Sequence, residues 1–201
     1  MQIHEIKSYS FAELATEIKE KVISKQQENF LDYDWWHFTL ESYKEELENS
    51  GFSDIEINFT GFWSQGDGAS FTAKLTDVKA FIKKHKIYNQ FRILYCNSDY
   101  VEAYIYRKTS HYCHENTVAV AVDKEHYNWC LNDKIIVKII DKLYQFEEYL
   151  SDFVIAKSQE IYRNLEDEYN ILISDESIID NITANDYCFS QKGEIINHLI
   201  N

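Results

Sequence analysis

Proline is absent from this 201-residue chain, and glycine occurs only five times. Flexible linkers draw on those two residues, so nothing in the sequence separates one domain from another. Cysteine is sparse: Cys96, Cys113, Cys130 and Cys188 form no CxxC pair. Residues 1–10 carry His4, Glu5 and Lys7 where a signal peptide would be apolar. Without an export signal, reduced thiols in the cytoplasm are expected rather than a disulfide framework. No apolar run approaches the roughly 20 residues of a membrane-spanning helix.

Basic side chains are the other shortage. Twenty Lys and Arg stand against 34 Asp and Glu, a formal charge of -14. Gripping a nucleic-acid backbone rests mainly on Lys and Arg neutralising phosphates, so direct binding of DNA, RNA or an anionic membrane is not expected. The charge serves either solubility or attraction to a basic protein surface.

What is present fits a globular protein. The hydrophobic fraction is 45% and the aromatic fraction 15%. A chain of this length buries about 70% of its unfolded surface, enough to fold without disulfide or metal. One α+β domain over residues 1–201 is expected.

Local patterns give the elements. Ser10-Phe11-Ala12-Glu13 reads as a capping box opening a helix over 11–26, with Leu14, Ile18 and Val22 recurring every four residues. A second helix over 34–49 aligns Trp36, Leu40, Tyr43 and Leu47 and stops at Gly51. Alternation through Ile55, Ile57, Phe59, Gly61 and Trp63, the turn Gln65-Gly66-Asp67-Gly68, and alternation through Ala69, Phe71, Ala73 and Leu75 predict a hairpin. A short helix over 76–85 follows, then strands over 91–96, 100–107 and 117–123. The expected fold is thus an antiparallel sheet of about five strands packed with two N-terminal helices.

From Asp133 a helical stripe of Ile136, Ile139, Leu143, Phe146, Leu150 and Phe153 lasts to about Tyr169. Such a helix is about 55 Å long at 1.5 Å per residue. A chain of this size has a radius of gyration of about 16–17 Å, so the helix is expected to overhang, bend or break near Ser151-Asp152 or Lys157-Ser158. Ser174 caps a last helix over 175–184, and Tyr187-Cys188-Phe189 reads as an edge strand.

Six strings together carry a resemblance. They are Tyr9-Ser10-Phe11-x-Glu13-Leu14, Leu31-Asp32-Tyr33-Asp34-Trp35-Trp36, Gly61-Phe62-Trp63-Ser64-Gln65-Gly66-Asp67-Gly68-Ala69-Ser70-Phe71, His111-Tyr112-x-His114-Glu115, Ser174-Asp175-Glu176-Ser177 and Ala184-Asn185-Asp186-Tyr187-x-Phe189. The chain resembles, over nearly its full length, a family of phage- and prophage-encoded proteins of uncharacterised function. The resemblance implies a mobile-element origin, and with it the cytoplasm of a bacterial host. It implies no chemistry.

Four places hold candidate function. The loop Ser110-His111-Tyr112-Cys113-His114-Glu115 combines imidazole, thiol and carboxylate. It is a weak metal candidate through His111, Cys113 and His114, which His126 and Cys130 could complete. It is also a candidate for catalysis by His111, His114 and Glu115, since imidazole titrates near neutrality. The bland alternative is a polar loop whose histidines bond backbone. At Gly66, Asp67 and Gly68 the backbone could cradle an anion with Trp63 stacking on a base, or simply turn a hairpin. Asp32, Asp34 and Trp35 read as helix-dipole and core residues, or as a partner anchor with Trp36 on the core stripe. Tyr100, Tyr104 and Tyr106 share one strand face, covered by helices or open to a partner.

Acidic residues also recur along the helices, as at Glu45, Glu46 and Glu48, then Glu147 and Glu148. Such runs form a solvated face, or imitate a phosphate backbone. No cofactor motif is present. The leading expectation is a binding protein that engages a basic host protein through Trp35, Asp32, Asp34, Trp63 and Tyr104, as an inhibitor of nucleic-acid-handling or defence machinery. The competing one is an enzyme or metal protein centred on the histidine loop.

Overall fold

Among the described residues, Ser10 opens the first helical turn but not the first α-helix. In the computed structural model, which describes residues 7–109, 111–123 and 133–197, Phe11–Glu13 make a single 3-10 turn. The Ser10 N–H and hydroxyl both donate to Glu13 Oε2 at 2.8 Å. The backbone then extends through Leu14 (ψ 148°) and Ala15 (ψ 149°). Helix α1 therefore runs Thr16–Leu31, shifted from the expected 11–26. Burial of Leu14 accounts for the shift, since its side chain joins Val22, Ile178, Ile182 and Phe189 in one apolar cluster.

The chain forms two compact units. One joins the segment ending at Trp36 to that beginning at Asp167; the other is His37–Glu166. In the first, α1 packs on α6, Asp175–Ala184. The Ser174 hydroxyl caps α6 by accepting from Ser177 N–H at 3.2 Å, as its sequence predicts. The expected edge strand at 187–189 shrinks to single bridges of Phe189 with Tyr9 and Ile195. Positive φ angles at Asp186 (48°) and Gly193 (84°) turn the chain on either side of it.

The second unit is an α+β fold. Helix α2, His37–Glu48, stops at Gly51, whose φ of 93° suits glycine. Strands β1 (Phe52–Phe59) and β2 (Ala69–Leu75) form the expected hairpin, but β1 ends before Gly61 and Trp63, because Asp67 Oδ2 takes the Trp63 N–H into the loop. Asp77 then caps α3, Val78–Lys84, its Oδ1 accepting from Ala80 N–H at 2.9 Å. Residues 91–96, expected as a strand, lie in helix α4, Tyr88–Cys96. Phe91 and Leu94 are both fully buried three residues apart, a helical spacing, although Phe91 itself departs from helical angles (φ −118°, ψ 28°). Strands β3 (Ala103–Arg107) and β4 (Val118–Val122) complete an antiparallel sheet of four strands, in sequential order. The count falls short of the expected five because α4 replaces one.

Helix α5 runs Asp133–Leu172 without a break. At the expected weak point, Lys157 is buried, and its Nζ meets Glu46 Oε1 at 2.9 Å and Glu160 Oε2 at 2.8 Å. One sheet face packs on the helices through interlocking rings. Phe52 stacks on Phe153 (centroids 5.9 Å apart), Phe81 stands edge-on to Phe146 (5.8 Å), and Phe91 to Phe146 (5.2 Å). Each such side chain stabilises the fold by about 1.5–3 kcal/mol through burial.

The other sheet face stays open at its tyrosines. Tyr104 is 39% and Tyr106 48% exposed, whereas two helices were expected to cover them. Instead α2 packs along β1 and α1 belongs to the other unit. The side chain of Tyr100 lies outside the described residues. Tyr104 Oη donates to Glu102 Oε2 at 2.5 Å, and Lys74 pairs with the same oxygen at 3.2 Å.

Candidate functional site

Two loops that the sequence presents as separate candidates meet in the structure. The first closes β1 and β2, with Thr60 N–H donating to Gly68 O at 3.0 Å. Within it, Asp67 Oδ2 accepts from Trp63 N–H at 3.0 Å and Ser64 N–H at 2.7 Å. The Asp67 carboxylate thus ties down the chain ahead of the turn, and of the N–H groups expected to cradle an anion at Gly66, Asp67 and Gly68, that of Gly68 donates to Thr60 Oγ1 at 3.3 Å.

The second loop joins β3 to β4 and lies directly on the first. A Cβ at Gly66 would come within 2.6 Å of Tyr112 Cδ1, and one at Gly68 within 2.5 Å of His114 Cβ. Only glycine permits that approach. Helix α5 supports both loops one turn apart. Gln159 Nε2 donates to Glu115 Oε1 at 3.3 Å, and Tyr162 Oη donates to Gly61 O at 3.4 Å. The Tyr162 ring also lies 5.5 Å from that of Phe62. Burial raises the Tyr162 pKa, with help from Glu166 and Asp67. Sequence reasoning missed Gln159 and Tyr162, which read there as ordinary positions of a long helix.

The reactive groups of the second loop turn to separate partners. His114 Nδ1 accepts from Asn116 N–H at 3.2 Å, so in the neutral ring the proton sits on Nε2. Cys113 Sγ accepts from Arg107 Nη2 at 3.8 Å. His111 is exposed, and its N–H donates to Thr109 Oγ1 at 3.3 Å. None of these bonds links His111, Cys113, His114 and Glu115 into a relay. Among the described residues, no three His, Cys, Asp or Glu side chains gather as a metal site. Ser110, His126 and Cys130 lie outside the described residues.

Residues 35–175 match the model of a domain of unknown function, DUF8835. The chain belongs to the DUF8835 family. No curated protein and no solved structure matches it. The DUF8835 span contains both loops and their supports on α5, and it leaves out Asp32 and Asp34.

Those two carboxylates and Trp35 lie elsewhere. Asp32 caps the C-terminal end of α1, where an acidic group opposes the helix dipole, and not a helix start as expected. Trp35 is only 7% exposed and packs against Trp36 (5.5 Å) and Tyr169 (5.8 Å). Both tryptophans precede α2 in a turn, so helical spacing does not assign their faces. The expected order is reversed: Trp35 is the buried one, and it offers no surface anchor. By contrast Trp63 is 73% and Tyr112 51% exposed. No helix among the described residues is long and apolar enough to cross a membrane.

Proposed function

We propose that this DUF8835 chain is a binding protein whose paired loops dock on a basic protein partner. The seating of Tyr112 on Gly66 carries the reading, because it fixes two sequence-distant loops into one surface bearing Trp63 and Tyr112. Tryptophan and tyrosine favour interface centres, and a pre-ordered surface loses little entropy on binding. The charge of -14 favours a basic partner and speeds encounter with it. The resemblance to phage- and prophage-encoded proteins directs the proposal to a bacterial host protein, one that handles nucleic acid or serves defence.

The test is affinity capture from a bacterial host lysate at rising salt, using wild type, Trp63→Ala and Tyr112→Ala. The expected partner is basic, dissociates progressively as salt screens the charges, and is lost at least tenfold by either variant. A partner retained equally by both variants, or held without regard to salt, would overturn the reading.

A further inference from the structure

The two edges of the sheet are built differently. β1 carries a register irregularity between Ser53 and Glu56, where Asp54 takes a φ of 52°, and α2 packs on it. Bulges, edge charges and covering helices are the devices by which proteins block strand addition. β4 has neither bulge nor charge within its span, although α5 runs beside it and bonds it at Val122. Its sequence is Val118-Ala119-Val120-Ala121-Val122, with no charge, no glycine and no bulge in its pairing to β3.

Hydrogen-bond phase shows which groups face outward. Lys108 N–H donates to Thr117 O and Asp123 N–H to Glu102 O, both at 2.8 Å. In an antiparallel ladder every second residue turns to the partner, so Ala119 and Ala121 continue that phase toward β3. Val118, Val120 and Val122 therefore aim their N–H and C=O away from the sheet. Val122 bears this out, because its N–H donates to Glu147 Oε2 of α5 at 3.3 Å. Val118 and Val120 keep outward groups with no strand beside them among the described residues.

A cleft runs beside this edge. It has a volume of about 240 Å³, with Val118 and Val120 on one side and Ser151, Val154 and Ile155 of α5 on the other. Lys108 and Glu115 line it too. Glu147 bonds Val122 at the C-terminal end of β4, and Asp123 follows the strand. Among the described residues, Glu115, Glu147 and Asp123 flank the edge together with Lys108.

We propose that β4 is a strand-acceptor site, which takes an extended basic peptide segment of a partner protein as a fifth strand. Main-chain bonds to Val118 and Val120 hold the segment, a small apolar side chain enters the cleft, and flanking lysine or arginine meets the carboxylates. A second copy of the chain fits less well, since antiparallel pairing of β4 with itself sets Glu115 of one copy near Glu147 of the other. The site needs only the edge and its flanking charges, so it stands or falls separately from the paired-loop surface.

The probe is a blocked peptide of the form Lys-Thr-Val-Thr-Val-Lys, titrated into the isotope-labelled full chain while backbone amide shifts are followed. The largest shifts are expected at Val118 and Val120. A fully N-methylated analogue and a version with Glu in place of Lys should each bind at least tenfold more weakly. Val120→Pro should weaken the parent peptide by at least tenfold while keeping the pairing with β3, because the N–H it removes faces outward. Should that variant fail to fold, the N-methylated analogue on wild type decides alone. Equal binding of the analogue or the acidic peptide, shifts centred elsewhere, no binding at all, or self-association through β4 instead would each overturn the proposal.

Discussion

The α-carbon of Gly66 lies against the ring of Tyr112, so closely that a single methyl group placed there would reach within 2.6 Å of it. The same glycine holds a φ of 94°. Gly66→Ala therefore combines backbone strain with a clash against the ring, and strain of this kind costs about 1–3 kcal/mol. We expect a fall in melting temperature of about 2–4 °C per kcal/mol for a chain of this size. A double-mutant cycle separates the two parts, because Tyr112→Ala removes the clash and leaves the strain. If Gly66→Ala costs the same in both backgrounds, the loops do not bear on one another there.

Tyr43 should resist ionisation. It is buried, its hydroxyl donates to Glu160 Oε1 at 3.3 Å, and Asn164 Nδ2 donates to it. Burial, followed by the charges of Glu160 and Glu46, pushes its pKa up to about 12. The unfolded chain ionises this phenol near 10, so between pH 10 and 12 the unfolded state holds fewer protons and gains in stability. The contribution is complete below pH 10 and is lost as pH rises through 12. Tyr43→Phe should flatten that part of the stability profile, measured by urea unfolding, and absorbance titration should lose one late-ionising tyrosine.

Signals confined to one turn of chain were readable in the sequence, and those that depend on distant packing were not. Ser174 and Gly51 act within a few residues of themselves, and both end or begin helices where their chemistry says. The string Phe91-Arg92-Ile93-Leu94-Tyr95-Cys96 is rich in β-forming residues, and its burial at Phe91 and Leu94 selects a helix instead. Leu14 likewise straightens the backbone that its own capping box would have wound. The paired loops were each singled out, but their meeting depends on a sheet register and on Gln159 and Tyr162, which nothing in a one-dimensional pattern marks.

Gly51 is a structural hinge point that alanine should not replace. Its φ is 93°, and a Cβ there would lie 2.3 Å from Asp77 O. Its own carbonyl accepts from Thr76 N–H and Asp77 N–H, both at 3.0 Å. One residue thus joins the end of α2 to the start of α3, and the contacting atom is backbone, which cannot swing away. Gly51→Ala should cost more than the roughly 1 kcal/mol of an ordinary positive-φ substitution, with at least a 3 °C fall in melting temperature. A variant as stable as wild type would show that the junction relaxes.

His85 links stability to mild acid. Its ring lies 4.4 Å from the Phe81 centroid and 4.8 Å from that of Phe153. Its Nε2 is buried with no hydrogen-bond partner among the described residues. Burial lowers its pKa first, Lys84 of α3 and Lys157 of α5 lower it further, and Glu46 of α2 opposes them. The unfolded chain takes up this proton near pH 6.5, whereas the folded chain must be taken lower. Above that value neither state is protonated and the contribution is whole. As pH falls toward the depressed folded pKa, the unfolded state binds the extra proton and stability declines. His85→Leu cannot titrate, so it should lose less stability than wild type between pH 7.5 and 5 by urea unfolding, whatever its stability at the upper end. Parallel profiles for the two proteins would mean that the imidazole reaches water when charged, and that the phenylalanine pocket does not hold it neutral.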